Sequence, residues 1–474
     1  MESIPQEQVL KHIRAENPWW SPPHQITEQY RTYTRRAYFE PFYPLVPSLA
    51  VRRAVVLMGP RRVGKTVLLL QAVDQLLRDG VPPRNICYFS VDHPIYNGLR
   101  LDQLVEHFSQ AAAVDLRAGP FYMLFDEIQY LRNWELHLKG LVDQHAGIKF
   151  IATGSSAAAL RLKSTESGAG RFTDFLLPPL TFHEYLVLLG KTALVTPEPR
   201  AGFFRSPDID GLNETFLHYL NFGGYPEVIF SPVIQSNPQR YIKNDIVDKV
   251  LLRDLPGLYG ISDIQELNHL FTTLAYNTAQ EVSLEELSQN SGVAKNTLKR
   301  YIEYLEAAFL LRVVHRIDRT SRRFRRANFF KVYLTNPSMR SALFSPVSID
   351  DQAVGPLTET AIFSQWFHAD RELFYARWSH GEVDLVNLDG QKPAWVVEVK
   401  WSDNYVEHPE RLGSLLDYCR VNPITSVLVT TRTRFGAKTS GQTRIEFVPA
   451  SLYCYTVGYN VVKERRRLRR GASA

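Results

Sequence analysis

The residues from Gly59 to Thr66 read GPRRVGKT, a complete GxxxxGK[ST]. Phosphate binding explains that spacing. Gly59 and Gly64 let the loop between them, Pro60, Arg61, Arg62 and Val63, wrap phosphate oxygens with its backbone N–H groups, which every residue but Pro60 supplies. Lys65 then meets the β- and γ-phosphates, and the Thr66 hydroxyl is a ligand for Mg2+. The apolar run VVLMG leads into the loop, and KTVLLLQAVDQLL, with Val67 in its first turn, follows from it. A strand therefore feeds the loop, and a helix N-terminus adds favourable partial charge beneath the phosphates. A chance glycine-rich turn is the alternative, and this context argues against it. Sixty residues on, FYMLFDE ends in two acids. Asp126 is placed to support Mg2+ and Glu127 to polarise an attacking water. KFIATGSS ends another strand with hydroxyls at Thr153, Ser155 and Ser156. One of them senses the γ-phosphate, or the three are a plain polar strand end. Arg171, in GAGRFTDF, follows small residues and is either an arginine finger for a neighbouring subunit or a surface arginine. Together these residues predict binding and hydrolysis of a nucleoside triphosphate, most simply ATP, with Mg2+.

A second constellation lies towards the C-terminus. Asp384 in GEVDLV, then Glu398 and Lys400 in VVEVK, fit a D…ExK arrangement. Asp389-Gly390 is a good hairpin turn, so Asp384 and Glu398 fall on adjacent strands and their carboxylates can share a divalent cation. Glu398 and Lys400 are two apart and point to one face, which would set the ammonium beside a metal-bound water. Glu359, on the preceding helix, is a further candidate ligand. The alternatives are an acidic hairpin of no special purpose, or a fold that keeps these residues as a binding platform. Binding is expected over cutting here, because Asp403, Glu407 and Glu410 offset His408 and Arg411.

Basic residues gather elsewhere. Ser283–Leu311 reads as helix, turn, helix, with Ser283 and Glu286 as a capping box and Gly292 as the break. Lys295, Asn296, Lys299 and Arg300 open the second helix. Two strands, LLRVVHRI and FFKVYLT, flank an arginine-rich stretch containing Arg322, Arg323, Arg325 and Arg326. In a winged helix-turn-helix the second helix enters a major groove and the wing contacts phosphates. A solvated basic loop, or a domain that only packs between subunits, is the alternative. The net charge of +6 is not a property of the whole body: the tail Lys463–Ala474, KERRRLRRGASA, has six basic residues and one acid. That tail either binds phosphate without sequence preference or is a solubilising end.

Alternating strands and helices from Val51 predict an α/β fold, and the apolar strand runs without strict alternation predict a parallel sheet covered on both faces. The expected organisation is a lead-in over 1–50, irregular and rich in aromatics, then a P-loop domain over 51–180. A helical region with the winged element follows over 181–345, a C-terminal α/β domain over 346–460, and a basic tail over 461–474. No apolar run approaches the ~20 residues that cross a bilayer, and the first residues lack a secretory core. Cys87, Cys419 and Cys454 lie far apart with no CxxC, which fits a reducing cytoplasm.

At this level of detail the chain resembles a known family. GPRRVGKT, LFDEIQYLRNW, IATGSS, GRFTDFLLPPLTFHEYL and NFGGYP follow, in order, the pattern of AAA-type (AAA+) ATPases of bacteria and archaea that have a conserved C-terminal domain of unknown function. KVYLTNP, LTETAIF, GEVDLV and VVEVK match further on, so the likeness spans roughly 15–460. It implies an AAA+ core, a winged-helix middle and a C-terminal fold like that of restriction endonucleases. Asn336 in KVYLTNP departs from the family, where an aspartate is usual. The leading expectation is an ATP-driven enzyme acting on DNA as a homo-oligomer. A nucleotide-controlled regulatory switch and an ATP-controlled, metal-dependent nuclease are the alternatives. DNA-stimulated turnover separates the first from the second, and metal-dependent cleavage isolates the third.

Overall fold

The computed structural model describes residues 5–155, 170–199, 202–324, 328–369 and 371–471, with side chains as far as 464. Arg325, Arg326, Ser156 and the side chains of the tail beyond 464 lie outside the described residues. The chain divides into two compact units, Met1–Pro178 and Pro179–Ala474.

The first unit is built on five strands. These are β1 (Ala54–Gly59), β2 (Ile86–Ser90), β3 (Phe121–Asp126), β4 (Ile148–Ser155) and β5 (Phe172–Leu176). They lie in the order β2-β3-β4-β1-β5, and every pairing is parallel. β1, β3 and β4 are buried at every position, which is why their runs show no alternation. Helix α1 (Lys65–Arg78) leaves the loop after β1 and buries Leu68, Leu69, Ala72, Val73 and Leu76.

The lead-in is not irregular, which corrects the expectation for 1–50. Gln6–Glu16 is a helix, and its Val9 and Ile13 join the core of the sheet. Two apolar positions four apart suffice to dock one face. Beyond it, the side chain of Asn17 donates to the Tyr88 carbonyl at 3.0 Å and accepts from the Tyr88 N–H at 2.7 Å. The indoles of Trp19 and Trp20 both donate to the Ile86 carbonyl, at 3.1 and 2.8 Å. β2 is an edge strand, and these side chains satisfy backbone groups that an edge otherwise leaves open.

In the second unit, strand β6 (Glu281–Ser283) leads into helices α2 (Leu284–Ser291) and α3 (Lys295–Ala307). Strands β7 (Leu311–Ile317) and β8 (Phe329–Leu334) then form an antiparallel pair. Ser283 caps α2 by accepting from the Glu286 N–H, and Gly292 ends it with φ +71. Helix α4 (Val354–Trp366) follows, then β9 (Leu373–Trp378), β10 (Gly381–Asp389), β11 (Lys392–Glu398), helix α5 (Gly413–Val421) and β12 (Ser426–Thr431). A last hairpin, β13 (Gly436–Ser440) and β14 (Thr443–Pro449), precedes helix α6 (Ala450–Gly471).

The sheet of this unit runs across position 345. Its nine strands lie in the order β13-β14-β12-β11-β10-β9-β7-β8-β6. The join is a parallel pairing of His315, Arg316 and Ile317 with Phe374, Tyr375 and Ala376. Ile317 accordingly sits in the hydrophobic cluster of the C-terminal strands, with Phe374, Val383 and Val396. α6 passes through 460/461 without a break, and Val461 and Val462 are buried. Among the described residues no helix is long and apolar enough to cross a membrane.

Candidate nucleotide site and a buried charge cluster

Strand register assembles the first site. β1 pairs with β4 so that Gly59 lies opposite Ser155, and β3 pairs with β4 with Phe125 opposite Ala152, which sets Asp126 beside Thr153. The carboxyl ends of three strands therefore meet the loop at one edge, where open α/β sheets bind their ligands. Gly59 is fixed by space: a Cβ there would lie 2.3 Å from the Leu177 carbonyl oxygen. Gly64 is fixed by backbone, with φ +94 at the N-cap of α1. The Lys65 ammonium folds back onto the Gly59 and Pro60 carbonyls at 3.1 and 3.0 Å. Arg36 of the lead-in braces the loop by donating to the Val63 carbonyl at 3.0 Å and the Pro178 carbonyl at 2.8 Å.

Asp126 is buried and ringed by hydroxyls. Thr66 donates to it at 2.7 Å, Tyr88 at 2.9 Å, and Thr153 donates to its other oxygen. Burial pushes its carboxyl above the usual range, with Glu127 adding to the effect, and the three hydroxyls pull it back. Glu127 sits at φ +57, a left-handed conformation costly for a residue with a Cβ, and its N–H donates to Thr153 Oγ1 at 2.9 Å. Gln129 Nε2 donates to the Glu127 carboxylate, while its Oε1 accepts from the Ser155 N–H at 3.1 Å. Thr153 is thus committed as both donor and acceptor. Ser155 Oγ, by contrast, is buried with no hydrogen-bond partner among the described residues. The set fits Mg2+ and a triphosphate: a hydroxyl beside a carboxylate, an ammonium resting on carbonyls, a helix N-terminus, and an orphan hydroxyl.

Arg171 stands apart from this edge. Its carbonyl accepts from the Ala54 N–H at 2.9 Å, so it lies where β1 enters the sheet, whereas the loop leaves from the other end. Six residues of strand separate the two ends, about 20 Å at ~3.3 Å each. Its half-exposed side chain pairs with Asp143 of the same chain.

These features coincide with a known sequence family. Residues 51–186 match the family model described as AAA domain. This part of the chain is an AAA domain. Residues 213–351 match a second model, a domain of unknown function, DUF8612. An uncharacterized protein of Methanocaldococcus jannaschii is 26% identical over 337 residues, which cover 66% of this chain and 67% of that protein. An uncharacterized protein of Haemophilus influenzae is 25% identical over 294 residues, covering 61% and 68%. Among solved structures, the Aeropyrum pernix ORC1 protein in complex with DNA aligns with a TM-score of 0.32 and 13% identity, over 69% of this chain and 95% of that one.

The AAA domain's site has members that sequence reasoning missed: Tyr88, Gln129 and Arg36. Tyr88 is a buried phenol in the run ICYFS that pairs with β3, and Gln129 is two residues beyond Glu127; a hydroxyl within an apolar strand and an amide next to the acids are the signals that point to them.

The second constellation is also brought together. Lys400 Nζ lies 2.7 Å from Glu398 Oε1 and 3.5 Å from Asp384 Oδ2, and Asp384 Oδ2 accepts from the Val399 N–H at 2.9 Å. Glu359 reaches the same region, but its partners come from β8: Lys331 Nζ at 3.0 Å and Tyr333 Oη at 2.6 Å. Burial pushes the carboxyls of Glu359 and Glu398 up to about 7. Burial alone would raise Asp384 too, but Lys400 and Lys331 beside it hold it below the usual range.

The basic residues are divided. Lys299, Arg300 and Arg322 are exposed. Lys295 is paired with Glu285, and Arg323 with Glu372 at 2.9 Å, its guanidinium 4.6 Å from the Phe374 ring centroid.

Proposed function

We propose that the chain binds ATP with Mg2+ at Gly59–Thr66 and hydrolyses it, working as a homo-oligomer on DNA. The observation that carries this reading is the register that aligns Gly59, Asp126 and Ser155 at one edge of the sheet. Lys65 would meet the β- and γ-phosphates, with Thr66 and Asp126 holding Mg2+. Glu127, fixed by Thr153 and Gln129, would orient the water, and the Ser155 hydroxyl, which has no partner among the described residues, would meet the γ-phosphate. When bound, Mg2+ supplies charge neutralisation at the β- and γ-oxygens.

Arg171 supports the oligomer. About 20 Å from its own loop, it can complete a site only on a neighbouring subunit, after leaving Asp143. For DNA, the exposed Lys299 and Arg300 on α3 and Arg322 on the β7–β8 connection offer phosphate contacts, whereas Lys295 and Arg323 would first have to leave their carboxylates. The three buried, unpaired cysteines are in keeping with the cytoplasm.

Phosphate release measured with duplex, single-stranded and branched DNA, and without DNA, tests the whole reading. Turnover raised several-fold by one of these DNAs is expected. Turnover indifferent to all of them would leave an ATPase whose target is not DNA.

A further inference from the structure

The D…ExK face and the restriction-endonuclease-like resemblance imply a divalent cation between Asp384 and Glu398. The side chains do not fit one. Among the described residues no three acidic, imidazole or thiolate side chains converge as metal ligands. The carboxylates converge on ammonium groups instead. Lys331 Nζ lies 2.6 Å from Glu382 Oε1, 3.0 Å from Glu359 Oε1 and 3.7 Å from Asp384 Oδ1. It also stands 5.5 Å from the centroid of the Tyr375 ring. Its side chain is only 3% exposed.

Lys331 comes from β8, and β7 and β9 separate that strand from β10, which bears Asp384. Adjacent strands are spaced by about 4.8 Å, so in a flat sheet the two backbones would stand roughly 14 Å apart. The sheet must coil to bring the ammonium onto the carboxylates, and Glu359 approaches from α4. Burying this many charges is costly unless each has a partner, and each does. Lys331 holds Glu359, Glu382 and Asp384; Lys400 holds Asp384 and Glu398; Arg377 holds Glu382 at 2.9 Å.

We propose that Lys331 is a built-in cation that takes the place of the divalent metal on the Asp384–Glu398 face, closing that face to metal and fastening the β7–β8 hairpin to the C-terminal strands. The face then binds the chain's own ammonium and presents no metal-bound water. This goes beyond the nucleotide reading and does not depend on it.

The test is a Mn2+ titration of the full chain, without nucleotide or DNA, followed by the electron paramagnetic resonance signal of free Mn2+. Four proteins are compared: the parent, Asp384→Asn, Lys331→Met, and Lys331→Met combined with Asp384→Asn. Parent and Asp384→Asn should give the same isotherm. Lys331→Met, which keeps length but not charge, should gain one site at least tenfold tighter than any in the parent, and the double variant should lose it. Cooperative melting establishes that each variant is folded. If Lys331→Met does not fold, the comparison of parent with Asp384→Asn still decides, since equal isotherms support a closed face. A parent site lost in Asp384→Asn would overturn the proposal, as would a folded Lys331→Met that gains none.

Discussion

Replacing Thr153 by Val removes one hydroxyl from the centre of the AAA domain's site and leaves a side chain of similar shape. Thr153 is fully buried, donates to Asp126, and accepts from the Glu127 N–H at 2.9 Å. A bond to a charged acceptor contributes about 1.5–3 kcal/mol, and a buried N–H left unpaired costs about 1–3 kcal/mol. The loss should therefore be roughly 3–5 kcal/mol, or about 6–20 °C in the melting of a unit this size. The kinetic effect should be selective. Asp126 keeps Thr66 and Tyr88, so ATP binding should change little. Glu127 loses the bond that secures its left-handed backbone, and displacement by about 1 Å can cost ~100-fold in rate. Differential scanning calorimetry, nucleotide titration and steady-state phosphate release on Thr153→Val and Thr153→Ser provide the readouts, with Ser retaining the hydroxyl. Melting of Thr153→Val unchanged from the parent would refute the argument. Equal losses of kcat and ATP affinity would refute it as well.

Other perturbations separate the remaining parts. Arg171→Ala should lower turnover and spare ATP binding, and mixing it with Lys65→Ala should restore some activity, as measured by phosphate release from mixed subunits; no restoration would remove the shared site. Replacing Lys299, Arg300 and Arg322 with Ala should weaken DNA binding and flatten log K against log salt by about 0.9 for each lost duplex phosphate contact, read by fluorescence anisotropy. Burial pushes the Glu16 carboxyl up to about 7, against offsets from Tyr96 and Ser90. A raised acid stabilises the fold fully below its unfolded pKa, near 4.5, and that contribution is lost as pH rises through about 7. Glu16→Gln should therefore remove on the order of 3 kcal/mol of pH dependence across that window, measured by urea melts at several pH values.

The sequence made some parts of this molecule readable and hid others for physical reasons. The strand-loop-helix around GPRRVGKT is local: turn residues, apolar runs and loop chemistry all fall within a few residues of one another. The D…ExK hairpin is nearly as local, but its turn is Gly390-Gln391 rather than Asp389-Gly390, since Asp389 pairs with Lys392. A register shift between Asn387 and Leu388, which the sequence does not announce, is what sets Asp384 opposite Glu398. Lys331 was hidden because FFKVYL reads as a strand with one outward lysine, and only a strand order spanning distant segments turns that lysine onto Asp384 and Glu359. The pairing of β7 with β9 has no sequence signature, because parallel neighbours share no turn. The helix Gln6–Glu16 was concealed by its charged surroundings, with Val9 and Ile13 its buried positions. Thr153, Ser155 and Ser156 read alike as hydroxyls; register separates Thr153, committed to Asp126 and Glu127, from Ser155, whose Oγ is buried without a partner among the described residues, and Ser156 lies outside them.

The central claim is that the edge formed by Gly59–Thr66, Asp126 and Glu127 turns over ATP, and Glu127→Gln tests it most directly. Titration with a fluorescent ATP analogue and steady-state phosphate release are run on the parent, Glu127→Gln and Lys65→Ala in Mg2+. The account predicts that Glu127→Gln binds nucleotide like the parent while turnover falls at least tenfold, and that Lys65→Ala loses binding, turnover or both. Parent-like turnover in both variants would contradict it.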